Sequence, residues 1–99
     1  AATVTTNIFY GCSKLDYLVI SGFPTGTGTL DLSGLTAWGT SEAGKKSMVI
    51  TTDALLLRLM EGGGVLTLKI PSAAYAKWKG VIPELDEYMA DANITVVKV

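Results

Sequence analysis

From residue 48 to residue 99 the chain switches repeatedly between the two-residue period of a strand and the 3.6-residue period of a helix, and that alternation restricts it to a sheet with helices packed on it. Met48-Val49-Ile50-Thr51 predicts a buried strand, Thr52 and Asp53 a helix start, and Ala54 through Glu61 a helix stopped by Gly62-Gly63-Gly64. Leu66, Leu68 and Ile70 alternate with Val65, Thr67 and Lys69, as in a strand with one buried face. Pro71-Ser72 opens a second helix that runs through Ala73, Ala74, Tyr75 and Trp78 to Gly80. Pro83 fits the first position of a third helical segment, in which Leu85, Tyr88, Met89 and Ala92 share a face and Glu84, Asp86 and Glu87 sit at the positive end. Ile94 to Val99 reads as a closing strand. The order β-α-β-α-β implies a sheet that is at least partly parallel.

The first half has a different texture. Val4, Thr6, Ile8 and Tyr10 alternate along a strand that Gly11 ends, and Leu15 to Ser21 is a second β-rich run, so residues 4 to 21 predict a hairpin. Leu30-Asp31-Leu32 is a short strand candidate after the polar run Thr25 to Thr29. Turn formers dominate residues 33 to 47, which read as a loop. The expected fold class is α+β. An N-terminal hairpin region precedes the β-α-β-α-β half, and a mixed sheet carries the helices. With 99 residues, positions 1–99 make one domain with its own core.

The chain has no histidine. Imidazole is the side chain that titrates between about pH 5 and 8 and the commonest metal ligand, so Ser-His-Asp and Cys-His catalysis and histidine-bearing zinc sites are excluded. Eight basic and nine acidic residues leave a net charge of −1, with charged residues only 17% of the chain. No basic field is present for nucleic acid or an anionic membrane. The mean hydropathy of +0.39 is high for so short a chain, and few charges remain to cover its outside. Apolar surface meant for a partner is the expected consequence. No run approaches the ~18 apolar residues of a membrane span, and Ala1 to Thr6 lacks the charged and apolar regions of a signal peptide. An intracellular or particle-associated protein is expected. Cys12 has no second cysteine to pair with and reads as an inert thiol.

Gly39-Thr40-Ser41-Glu42-Ala43-Gly44-Lys45-Lys46-Ser47 has the glycine and lysine spacing of a phosphate-binding loop. Lys46 stands where that loop needs a hydroxyl, and the strand-like residues from Met48 replace the helix it needs. A solvated loop with two exposed lysines is the preferred reading. Ser72, after a strand and at a helix start, is the better-placed anion site. Glu84, Asp86, Glu87 and Asp91 read as a solvated helix face rather than a metal site, and Asn93-Ile94-Thr95 as a chance glycosylation match.

Trp38, in a polar stretch, and Tyr75 and Trp78 are the expected interface anchors, since tryptophan and tyrosine are enriched at protein contacts. The functional expectation is a non-catalytic assembly subunit without cofactor or metal, binding copies of itself or another protein. A homo-oligomer or a larger particle, such as a viral shell or tail, would use such a chain. The alternative is a small binding module for a phosphorylated or anionic ligand, with Ser72, Lys45 and Lys46 as its contacts.

Overall fold

Among the described residues three parallel strands carry the fold, and each is entered from a loop tied to the same arginine. The computed structural model describes residues 13–61 and 63–99. The elements run β1 (Gly28–Asp31), α1 (Glu42–Glu61), β2 (Leu66–Ile70), α2 (Ser72–Val81), α3 (Leu85–Asp91) and β3 (Ile94–Lys98). The sheet order is β1-β2-β3, with Leu30 beside Leu68 and Leu68 beside Val96. Both pairings are parallel, so the chain returns through α1 and then through α2 and α3. Successive crossovers in one direction, with the usual right-handed turn, put their helices on one face. Accordingly α1 packs against both α2 and α3.

That helical layer and one face of the sheet enclose the core. Leu30, Leu66, Leu68, Ile70 and Ile94 come from the strands, Met48 and Leu55 from α1, Trp78 from α2, and Leu85 and Met89 from α3. Arg58 reaches from α1 beneath the sheet while only 2% exposed. Its Nε donates to the Ala92 carbonyl at 3.0 Å, one terminal nitrogen to the Gly64 carbonyl at 2.6 Å, and the other to the Pro24 carbonyl. Pro24, Gly64 and Ala92 precede β1, β2 and β3 respectively. A planar fork of donors satisfies three loop carbonyls at once. Burial lowers the guanidinium's pKa, and the nearby Glu61 carboxylate opposes that shift.

The α+β character stands, and β2, α2 and β3 follow the expected pattern. Three expectations do not hold. Among the described residues the sheet is all parallel rather than mixed. Residues 42 to 47 and the strand expected at Met48–Thr51 belong to α1, as do Thr52 and Asp53, which lie inside the helix instead of capping it. Burial at Gly44, Ser47, Met48, Thr51, Ala54, Leu55 and Arg58 follows helical spacing, so tertiary packing overrides the β propensity of Val49 and Ile50.

The hairpin is the third. Val4 to Tyr10 lies outside the described residues, and no strand forms over Leu15–Ser21. That segment instead runs along α1. The Leu18 amide donates to Ser47 Oγ at 3.2 Å and the Ile20 amide to Thr51 Oγ1 at 3.0 Å. Two residues of extended chain span ~6.6 Å and one helical turn ~5.4 Å, so hydroxyls four apart match alternate amides. Helix side chains thus supply partners that a neighbouring strand would otherwise provide.

Candidate interaction surface

The N-terminus of α1 is closed by the protein itself. Ser41 Oγ accepts the Gly44 amide at 3.0 Å, the usual serine cap. The Asp16 carboxylate accepts the Ser41 amide at 3.0 Å and the Thr40 hydroxyl at 2.9 Å, and also bonds the Ser41 hydroxyl. Those bonds, the Ser41 hydroxyl first, bring the Asp16 carboxyl down to about 2. Contrary to the expected loop and strand, α1 begins inside the glycine-lysine stretch at Glu42 and takes in Gly44, Lys45 and Lys46, and Asp16 holds the position an anion would take at its start.

The two glycines of that stretch have packing reasons. Gly39 sits at φ +82°, and a Cβ there would strike the Met48 side chain. A Cβ on Gly44 would come within 2.7 Å of the Asp16 carbonyl oxygen. Lys45 pairs with Glu42 at 3.4 Å, both exposed, and Lys46 points to solvent one residue on. Ser72 is held elsewhere: its amide and hydroxyl both donate to the Val99 oxygen, at 3.0 and 3.3 Å. No described contact brings Ser72 together with Lys45 or Lys46. Cys12 lies outside the described residues.

The three aromatic anchors are a correction. Trp38 and Trp78 have no exposed surface, and Tyr75 has 2%. Trp38 lies in a run of turns from 36 to 39 whose tight course folds it inward, where Nε1 donates to the Leu18 carbonyl and to Ser47 Oγ, each at 3.2 Å. Trp78 Nε1 donates to Thr52 Oγ1 at 3.1 Å. Both indoles keep their N–H partnered, which is what allows tryptophan to be fully buried. The Tyr75 hydroxyl donates to Asp86 at 2.7 Å, Asp86 pairs with Lys79 at 2.6 Å, and Lys98 lies 5.0 Å above the Tyr75 ring. Burial and then Asp86 push the Tyr75 phenol well above its ordinary value, so it is held protonated.

What does face outward is the far side of α1. Val49 and Ile50 are each 45% exposed, Leu57 51% and Met60 80%, with Leu56 at the flank. Lys46, Val49, Ile50, Asp53, Leu57 and Met60 follow the i, i+3, i+4, i+7 rule, so they form one stripe opposite the buried one. A crossover helix ordinarily turns polar residues to water. One that is apolar on both sides is ordinarily covered.

Among the described residues, no helix lies on the far face of the sheet. Its register puts Thr29, Thr67 and Thr95 in one rank and Asp31, Lys69 and Val97 in the next. Parallel sheets are almost always covered on both faces. Here the helices lie on one side, and the other face is mixed in polarity. Asp31 accepts the Ser33 amide and hydroxyl at 2.9 and 2.6 Å, and its pKa is lowered by those bonds and by Lys69.

The stripe on α1 escapes the sequence reading because residues 48 to 51 look like a strand and because leucines surround the helix on every side. Counting the 3.6-residue period from Lys46 instead of from Ala54 would have exposed it. No protein family matches the chain, and searches of the curated proteins and of the solved structures return no match.

Proposed function

We propose that this chain is a non-catalytic assembly subunit that associates through the outer face of α1, as a homo-oligomer or as a building block of a larger particle. The observation that carries this reading is the apolar stripe through Val49, Ile50, Leu57 and Met60 on a helix whose opposite face already belongs to the core. Low charge and a net charge of −1 add to it, since little repulsion opposes contact between copies. The buried polar groups are occupied in holding the fold: among the described residues, no buried side-chain nitrogen or oxygen lacks a hydrogen-bond partner. Light scattering across a hundredfold dilution tests the reading. A mass above that of the monomer at micromolar concentration, reduced by Leu57→Glu or Met60→Glu with the helical circular dichroism intact, is the expected result. A monomeric mass throughout would sink it.

A further inference from the structure

We infer that α1 pairs with α1 of a second copy, antiparallel and about a two-fold axis near the middle of the helix. This rests on the assembly reading and adds the identity of the occupant and its orientation.

The charges on the stripe supply the argument. Lys46 stands near its N-terminal end and Glu61 at its C-terminal end, about four helical turns apart and on the same side. Both are exposed, and among the described residues neither makes a salt bridge, the nearby Arg58 acting on Glu61 only at longer range while its own donors are taken by loop carbonyls. An antiparallel copy sets Lys46 beside Glu61 of its mate twice, once at each end. A parallel copy would set like charges together. The helix dipoles also oppose each other favourably in the antiparallel arrangement. Between the charged ends, Ile50 meets Leu57 of the other copy, and Val49, Leu56 and Met60 flank them.

Area points the same way. The exposed apolar side chains of α1 present on the order of 500 Å², at the upper end for one patch on a monomer, and self-pairing doubles this to about 1,000 Å², the lower bound for a specific interface. Asp53 lies near the midpoint and faces its own copy across the axis. That repulsion keeps the pair weak and makes Asp53 the residue whose neutralisation strengthens it.

Sedimentation velocity at neutral pH and low salt is the test, with circular dichroism confirming that each variant keeps the parent's helix. Lys46→Glu and Glu61→Lys are each expected to raise the dimer dissociation constant at least about fivefold, because each pair occurs twice. The combined variant returns it to within about threefold of the parent, because the reversed charges are complementary again. Asp53→Asn lowers it severalfold, a gain that no loss of folding mimics. A dimer indifferent to all four variants, or one that grows without limit instead of stopping at two, overturns the α1 pairing and leaves the assembly reading in place. A parent chain monomeric at every concentration overturns both.

Discussion

The rings of Trp38 and Trp78 meet edge to face, 5.1 Å between centroids and 61° between planes. Their contact locks the turn before α1 onto α2, and each indole N–H ends on a hydroxyl of α1, Ser47 for one and Thr52 for the other. Truncation of a buried tryptophan removes this whole junction. Trp38→Ala is expected to cost about 3 to 5 kcal/mol of folding stability, read from the guanidinium midpoint. Trp38→Phe keeps much of the ring packing and loses the N–H bonds, so its cost should be clearly smaller. Equal stability of the alanine variant and the parent would contradict the burial described above.

Arg58 closes three loops with one guanidinium. Replacement by methionine keeps the stem and strands the carbonyls of Pro24, Gly64 and Ala92 without their donors. A loss of about 3 kcal/mol or more in urea unfolding is expected. Lysine, a point charge, cannot reach all three carbonyls and should recover only part of it.

Asp16 predicts a pH dependence. Its folded-state value of about 2 lies below the ordinary 3.8, so its contribution is present above pH 4 and fades as the pH falls toward 2. Asp16→Ala should therefore lower the melting temperature at neutral pH and flatten its decline between pH 4 and 2. Parallel melting curves for parent and variant across that window would refute the assignment.

Tyr75 predicts the opposite end of the scale. Its phenol is raised above the ordinary 10.0, so the protonated form stabilises the fold fully below pH 10 and that contribution drains away as the pH climbs further. Tyr75→Phe is expected to cost about 1 kcal/mol at pH 7 through the lost bond to Asp86. Above pH 10 the gap between variant and parent should narrow. A gap that stays constant from pH 7 to the alkaline limit would show that the hydroxyl does not titrate with folding.

The sequence by itself determined the fold from Leu66 onward. The alternation of Leu66, Leu68 and Ile70, the Pro71-Ser72 start, the spacing of Leu85 and Met89 and the closing run from Ile94 are local signals that agree with their surroundings, so β2, α2, α3 and β3 were legible. Only the tertiary structure decided the rest. Val49 and Ile50 have strand propensities, but they become helical because Ser47, Met48, Thr51 and Leu55 are buried together on the inner side of α1. Leu15 to Ser21 is rich in β-formers, but its Leu18 and Ile20 amides are met by hydroxyls of α1, a partner distant in sequence. Trp38 sits among turn residues that give no local direction, and its burial follows from Trp78 and Ser47 closing over it. Periodicity reports which residues share a face. Which face is covered, and by what, is set by contacts between residues far apart in the chain.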